Sequence, residues 1–193
     1  MTSIRRDHLV DTALTLFSRY GFHATGIDRI LSESGVAKMT LYKHFKSKDE
    51  LILAALRRRD ELHRNWFMRE VEKLATTPRD RLAALFTALE SWFKSDEFSG
   101  CCFINATAEY AAKDDPIHAA AAEHKRLIRT YVRDQATAAQ AKDPDELTNQ
   151  LMLLMEGAIV SAQITGEAAP AQQARAAAEV LINQAVASSS IAA

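Results

Sequence analysis

A short run of polar and cationic side chains between residues 38 and 48 has the chemistry of a nucleic-acid contact. The outward positions of a helix through this run hold Lys38, Met39, Thr40, Tyr42, Lys43 and His44. Hydroxyl, ammonium and imidazole groups bind phosphates, and an apolar side chain such as Met39 suits the methyl group of a thymine. Ser47 and Glu50 predict a capping box that opens another helix, with Lys48 at its first position. Free amides and a lysine at a helix start favour phosphate binding.

The elements that must position these side chains are predicted to form a helix-turn-helix. Thr25 is expected to cap a first helix, with Asp28 three residues later. Gly35 supplies the turn, where a side chain at positive φ is costly. Leu41 and Phe45 then pack a second short helix onto the first. This order of parts is typical of units that read a DNA major groove, and three short helices that only pack together are the alternative.

The run from residue 21 to residue 51 resembles the TetR family of bacterial transcriptional regulators. The matching positions are Gly21-Phe22, Thr25, Ile30, Gly35-Val36, Thr40-Leu41-Tyr42, His44-Phe45 and Ser47-Lys48-Asp49-Glu50-Leu51. The resemblance implies an all-helical dimer with a DNA-binding domain over residues 1–48 and a ligand-binding and dimerisation domain over residues 49–193. It also implies that these side chains contact double-stranded operator DNA, mostly at phosphates: Thr25, Lys38, Thr40, Tyr42, His44 and Lys48. Ala37 stands where the family often has a serine, which predicts a weakly capped recognition helix.

Charge is distributed unevenly along the chain. Its 193 residues carry a net charge of −1, so the protein is not basic as a whole. Residues 1–69 hold 13 Lys and Arg against 8 Asp and Glu, whereas residues 70–193 hold 11 against 17. This asymmetry predicts DNA contact confined to the N-terminal part. No signal peptide or membrane span is recognised, so a cytoplasmic location without membrane contact is expected.

No pattern in the sequence predicts an enzyme. A nucleophile elbow, a phosphate-binding glycine loop, a metal-ligand cluster and a carboxylate pair at catalytic spacing are all missing from it. We therefore expect no catalytic residue, no metal site and no cofactor.

An all-α fold of about nine helices is predicted, because alanine is abundant and no segment alternates as a strand does. Four prolines indicate the first turns of helices near residues 78, 116, 144 and 170. Thr77, Asp115 and Asp143 precede three of these prolines as N-caps. Further helices are expected from about residue 4 to 20, around the helix-turn-helix and near residue 101. Residues 188–193 are expected to be disordered.

The long helices predict a lever and a dimer interface. The helix that begins near Ser47 is expected to continue past Trp66 and to link the two domains. The last two helices are expected to form a four-helix bundle across a two-fold axis, with packing inside one chain as the alternative. The apolar residues assigned to this interface are Leu147, Leu151, Leu154, Ala158 and 160–162 on one helix, and Ala174, Ala177, Ala178, Leu181, Ile182 and Ala185 on the other.

Bulky apolar side chains and two adjacent cysteines are the candidates for a ligand site. The candidate ligand-binding residues are Phe86, Trp92, Phe93, Cys101, Cys102, Asn105, Tyr131 and Met155. A mostly apolar cavity with few polar groups is how proteins hold small molecules, although such stripes more often form core. Thiols in the first turn of a helix have a lowered pKa, which favours reactivity, and the alternative is that both thiols are packing groups.

The pattern Gly100-Cys101-x-x-x-Asn105-x-x-x-Glu109 looks like a subset of TetR-type regulators, some of which sense electrophiles or oxidants through cysteine. The predicted function is ligand-responsive transcriptional regulation, by a homodimeric repressor that a small, mostly apolar molecule releases from its operator. The alternative is a repressor that responds to covalent change at Cys101 or Cys102. Thiol alkylation during operator binding distinguishes the two.

Overall fold

The structure, a computed structural model, describes residues 2–186. Nine α-helices account for most of these residues. They are α1 (Thr2–Tyr20), α2 (Ile27–Ser34), α3 (Lys38–His44), α4 (Lys48–Leu74), α5 (Pro78–Phe93), α6 (Cys102–Glu109), α7 (Pro116–Ala138), α8 (Pro144–Thr165) and α9 (Ala169–Ala185). No strand occurs in this range, where a single antiparallel bridge joins Ala141 and Val186. The predicted all-α class is confirmed. The expectation of disorder for residues 188–193 lies outside the described range.

Prolines and side-chain caps set the starts of the long helices after α4. Thr77 and Asp143 each accept a hydrogen bond from the backbone N–H three residues later, at 3.1 and 3.0 Å. Asp115 accepts one from the N–H two residues later at 2.7 Å. These bonds satisfy N–H groups that have no partner inside the helix. The predicted starts near residues 78, 116 and 144 are confirmed, and α9 begins at Ala169, one residue before Pro170.

The chain divides into two compact units. The first comprises residues up to 65 together with residues 101–125. In this unit α1 packs on α2 and on α3. The side chains of its interior that are at most 1% exposed include Leu9, Phe17, Phe22, Ile30, Leu41, Leu51 and Leu56. Because Leu9, Ala13 and Phe17 are four residues apart, they form one buried face of α1 that holds the short helices in place.

The second unit comprises residues 66–100 and the residues from 126 onward. Here α8 packs along α9, and α5 packs against both. Its interior includes Leu82, Leu85, Phe86, Leu151, Met155, Ala178 and Ile182. Small residues on α9, Ala171, Ala174 and Ala178, are buried at helical spacing and allow close approach of the neighbouring helices.

These units do not coincide with the predicted domains, because the first also takes in the start of α4 and residues 101–125. The division at residue 48 stays a prediction. α4 continues past Trp66, as expected, and contributes residues to both units. Within residues 2–186, no helix combines the length and the apolar character that crossing a lipid bilayer requires.

Most of the residues predicted for the dimer interface lie inside the second unit instead. Leu147, Leu151, Ala158, Ala162, Ala174, Ala178 and Ile182 are each at most 9% exposed within one chain. The assignment of these side chains to a subunit interface is therefore wrong. Four large apolar side chains of α8 and α9 form the strip that is left open. They are Leu153, Val160 and Ile164 on α8 and Val180 on α9, with exposures of 75%, 37%, 78% and 55%, and Val160 is the one that was also predicted.

Candidate nucleic-acid interface

α3 has one buried face and one open face. Leu41 is fully buried and Phe45, directly after the helix, is 4% exposed, so both hold α3 on the first unit. On the open face Lys38 is exposed, Met39 is 87% exposed and Tyr42 is 49% exposed. The N-cap, Ala37, makes no side-chain hydrogen bond, which confirms the predicted weak cap. The open face offers an ammonium, a thioether and a phenol, the groups expected to meet phosphates and base edges.

The turn before α2 differs from the prediction. The N-cap of α2 is Gly26 and no side chain caps this helix, so Thr25 does not have the capping role assigned to it. Thr25 is fully buried, and its hydroxyl donates to the carbonyl of Gly21 at 2.7 Å. The end of α1 leaves carbonyls that need donors, and the Thr25 hydroxyl supplies one. The Thr25 side chain is therefore closed to DNA in this arrangement, and its DNA contact stays a prediction. Gly35 adopts φ +63 and makes the predicted turn.

Two other predicted phosphate contacts are restricted, one by burial and one by a hydrogen bond within the protein. The Nε2 atom of His44 is buried and has no hydrogen-bond partner among the described residues, so it is closed to a phosphate in this arrangement. The Lys48 ammonium donates to the carbonyl of His23 at 3.1 Å. An ammonium has three N–H donors, so this bond leaves two of them. Ser47 accepts the N–H of Glu50 at 3.2 Å, and the Glu50 carboxylate bonds to the backbone just before α4, in the manner of the predicted capping box.

A cation that the sequence reasoning did not single out lies beside α3. The guanidinium carbon of Arg6, on α1, is 5.3 Å from the centroid of the Phe45 ring. An Arg over an aromatic face is held by cation–π attraction. Together with the exposed Lys38, Lys43 and Lys46, Arg6 adds positive charge to this side of the first unit. Its position in the basic pair Arg5-Arg6 was the available sequence signal.

Five of the predicted ligand residues form core in the second unit. Phe86, Trp92, Phe93, Tyr131 and Met155 are at most 8% exposed. Trp92 and Phe93 pack against Phe98, with ring centroids 5.0 and 4.9 Å apart. The Tyr131 hydroxyl is buried and has no hydrogen-bond partner among the described residues, and burial raises its pKa. An open groove of about 550 Å³ between α5 and α9 is lined by other residues, including Thr87 and Arg175.

The other three predicted ligand residues, Cys101, Cys102 and Asn105, lie in the first unit. Both thiols are 5% exposed and neither forms a disulfide. Burial raises the pKa of the Cys102 thiol, Cys101 raises it further, and the positive charges of Arg59 and Lys125 oppose the shift. The expectation of a lowered pKa is therefore wrong for Cys102, because the loss of water outweighs the effect of the helix start.

A partly buried polar cluster in the first unit was not predicted. The His124 ring stacks on Phe103 with centroids 3.6 Å apart, and its Nδ1 lies 2.8 Å from the Asp60 carboxylate. Arg64 donates to the same carboxylate at 3.0 Å. Burial opposes ionisation of Asp60, but the hydrogen bonds from Arg64 and His124 outweigh it and lower the Asp60 pKa. The spacing of Asp60 and Arg64 was visible in the sequence, whereas the partner on α7 was not. Among the described residues, no group of three or more His, Cys, Asp or Glu side chains has the arrangement of a metal site.

Two family profiles match this chain. The profile of bacterial regulatory proteins of the tetR family matches residues 9–55, and that of the tetracyclin repressor-like C-terminal domain matches residues 78–178. The HTH-type transcriptional regulator YjdC of Escherichia coli (strain K12) is 23% identical over 81% of this chain and 82% of its own.

Solved structures share the fold. A TetR-family transcriptional regulator from Streptomyces coelicolor superimposes with a TM-score of 0.89 at 28% identity, covering 96% of this chain and 97% of its own. Reduced E. coli NemR superimposes with a TM-score of 0.82 at 21% identity, covering 97% and 99%. YjdC and the Streptomyces coelicolor protein are named as transcriptional regulators, and the two profiles extend over most of the chain. The chain therefore belongs to the TetR family of helix-turn-helix, DNA-binding transcriptional regulators.

Proposed function

We propose that the protein is a cytoplasmic homodimeric repressor that binds an operator through α3 and is released by a small, mostly apolar effector. The observation that carries this proposal is the open face of α3, with Lys38, Met39 and Tyr42 exposed beside a buried Leu41. Such a face suits a major groove, where phosphate contacts position the helix and a few side chains read bases. We propose Lys38, Met39, Thr40, Tyr42 and Lys48 as DNA contacts.

Release by an effector requires that the ligand favour one of two arrangements of the protein. α4 has 27 residues, about 40 Å of helix, and it supplies residues to both units. A continuous helix of this length transmits a change at one end as a displacement at the other. In a dimer, such a displacement changes the spacing of two recognition helices and weakens binding to paired half-sites. For this coupling to operate, the effector must bind the arrangement that has low affinity for DNA more tightly than the arrangement that binds the operator.

Dimerisation is proposed through the open strip of α8 and α9. Leu153, Val160 and Ile164 follow one another along α8 with Gly157, which is also exposed, between them. Glycine in the middle of this strip lets a partner helix approach closely. Val180 on α9 is likewise exposed. Packing these two helices against their symmetry mates forms a four-helix bundle and covers apolar side chains that one chain leaves in water.

Operator binding is tested with DNA selected from a random pool and with DNA from upstream of the protein's own gene. Lys38→Ala together with Tyr42→Ala should weaken specific binding by more than about tenfold, since each removes a contact to DNA. With Lys38→Ala alone, log affinity should fall less steeply with log salt concentration, the magnitude of the slope decreasing by about 1. Lys113→Ala is the matched control, because it removes one exposed lysine from the loop before α7 and should leave affinity unchanged. Failure of the wild-type protein to enrich any sequence would refute the proposal.

Met39 is the side chain proposed to read a base. Met39→Ala should relax the preference at one base-pair position of the selected operator while leaving the salt dependence as it is, because a thioether carries no charge. Tyr42→Phe should instead weaken binding about equally on all sequences if its hydroxyl holds a phosphate. An unchanged selection profile for Met39→Ala would contradict the reading role.

Thiol sensing is the second candidate, supported by the adjacent Cys101 and Cys102 at the start of α6. A weak hint is that NemR, which shares the fold, was solved in a reduced form. The raised pKa of Cys102 and the burial of both thiols count against it. N-ethylmaleimide should release wild-type protein from its operator if a thiol is the sensor. The same treatment should then leave the Cys101→Ser, Cys102→Ser variant bound, and release of that variant would exclude thiol sensing.

A further inference from the structure

The carboxylate at the end of α6 is bonded to the turn that leads into the helix-turn-helix. Glu109 accepts the backbone N–H of Phe22 at 2.8 Å through one oxygen and that of His23 at 2.6 Å through the other. The second oxygen also lies 2.8 Å from Nδ1 of His23. Three hydrogen bonds thus join a single side chain of α6 to two consecutive residues between α1 and α2. Bonds to an ionised acceptor are among the stronger ones in proteins.

The turn has a conformation that matches this carboxylate. Gly21 adopts φ +86, a region that residues with a side chain rarely occupy. A Cβ on Gly21 would lie 3.0 Å from Oε1 of Glu109, so the glycine also leaves the space in which the carboxylate sits. On the far side, the carbonyl of His23 accepts the ammonium of Lys48 at the start of α4. The backbone of His23 is therefore held from both sides, by α6 through its N–H and by α4 through its C=O.

Aromatic packing strengthens the same junction. The Tyr110 ring, which follows Glu109, stacks on the His23 ring with centroids 4.7 Å apart and meets the Phe22 ring edge-on at 6.3 Å. Burial opposes ionisation of Glu109, but the hydrogen bonds from His23 and Phe22 outweigh it and lower the Glu109 pKa. The carboxylate is accordingly charged at neutral pH, which favours all three bonds.

We infer that Glu109 is a positioning residue for DNA binding: its carboxylate fixes the turn at Phe22 and His23 and thereby the orientation of α2 and α3 for operator recognition. This inference rests on the proposed operator-binding function. Glu109 touches no DNA itself, because it acts through the backbone that precedes α2. The alternative is a local cap that stabilises the turn without influencing DNA recognition. The pattern of Gly100 to Glu109 seen in the sequence thus ends in a residue with a definite contact.

The test compares Glu109→Gln with Asp114→Asn, a matched loss of one exposed negative charge five residues later. Glutamine keeps the size but places an NH₂ where one of the two oxygens accepts hydrogen bonds. Amide hydrogen exchange, measured by NMR on the free protein, should accelerate about tenfold or more in Glu109→Gln at whichever of Phe22 and His23 loses its acceptor, and at neither residue in Asp114→Asn. Operator affinity should fall about tenfold or more in Glu109→Gln, with affinity for non-specific DNA within about twofold of wild type.

If Glu109→Gln folds poorly, His23→Ala alone carries the test, and otherwise the two variants form a double-mutant cycle. His23→Ala removes the imidazole and its stacking from a side chain that is 63% exposed, so the fold should tolerate it. Operator affinity should fall about threefold in His23→Ala, and its effect should be less than additive with that of Glu109→Gln because both act on one contact. Full additivity would overturn the inference.

Two further outcomes separate this inference from the proposed function. Faster exchange at either amide with unchanged operator affinity would show a local cap only and would overturn the positioning role. If exchange is faster in Glu109→Gln but the wild-type protein binds no DNA sequence specifically, the proposed function is overturned and the positioning role with it. The contact between Glu109 and the turn would still stand.

Discussion

Two histidines of the first unit should make the protein lose stability in mild acid. Burial, opposed by the hydrogen bond to Asp60, lowers the pKa of His124 from 6.5 to about 4. Burial and the charge of Arg59 lower the pKa of His63 from 6.5 to about 3. Both imidazoles are neutral in the folded protein at pH values where the unfolded chain already protonates them. Because the folded pKa values are depressed, the stabilisation is complete above about pH 6.5 and is lost as the pH falls towards 4.

The size of the effect follows from these pKa values. At pH 5 each histidine of the unfolded chain is almost fully protonated, whereas each folded histidine has taken up little charge. Each therefore costs about 2 kcal/mol of unfolding free energy between pH 7.5 and pH 5, and together about 4 kcal/mol, from 1.36 kcal/mol per pKa unit. A domain is stable by only about 5–15 kcal/mol, so the loss is a large fraction of the total. Asp60 adds to the loss only below its ordinary pKa of 3.8, outside this window.

The assay is urea unfolding followed by circular dichroism at pH 7.5, 6.5, 5.5 and 5.0. The quantity of interest is the slope of unfolding free energy against pH, since this slope counts the protons taken up on unfolding. His63→Gln and His124→Gln should each reduce the uptake near pH 5.5 by about one proton, and the double variant by about two. Any loss of packing in a variant lowers the unfolding free energy by the same amount at every pH, so the slope against pH is unaffected. A double variant with the wild-type slope between pH 6.5 and pH 5 would refute the reasoning.

Gly100→Ala should lower the unfolding free energy by about 2 kcal/mol or more in a urea titration, because the residue has φ +86 and a Cβ would meet the Gln163 side chain. Adding Gln163→Ala should recover only part of that loss, since the backbone strain remains, and full recovery would contradict the φ argument. Ile164→Glu should shift the protein from dimer to monomer in light scattering. Ala122→Glu, at an exposed position on α7, is the control and should leave the dimer intact. A dimeric Ile164→Glu variant would exclude the proposed strip as the dimer interface. Thr77→Ala should cost about 1 kcal/mol of stability by removing the cap of α5, and an unchanged denaturation midpoint would show that the bond to the N–H three residues later contributes nothing.

Helix boundaries were predictable because the interactions that set them are local. The hydroxyl of Thr77 and the carboxylate of Asp143 bond to an N–H three residues away, and the prolines beside them are compatible only with a first turn. Gly35 marks a turn for an equally local reason, its positive φ. The face of α3 followed from helical periodicity, since burying Leu41 leaves Met39 and Tyr42 outside.

Long-range contacts were not predictable in this way. Glu109 is 87 residues from Phe22 in the chain, and His124 is 64 residues from Asp60, so no periodicity or spacing relates them. Thr25 was predicted to cap α2, but the N-cap is the next residue, Gly26, and the Thr25 hydroxyl donates to the carbonyl of Gly21 instead. The sequence predicted Leu147, Leu151 and Ala158 for the subunit interface, but packing against α5 and α9 buries them and leaves Leu153 and Ile164 exposed.

The sequence by itself determined the all-helical class, the starts of the long helices, the turn at Gly35 and the open face of the recognition helix. Each depends on residues within about one helical turn of one another, so the order of side chains contains the whole interaction. Only the tertiary structure decided that Glu109 is bonded to the turn before α2, that the Cys102 thiol is buried with a raised pKa, and that Leu153 and Ile164 remain exposed. These features depend on which helix faces meet, and the sum of many weak contacts between distant segments decides that.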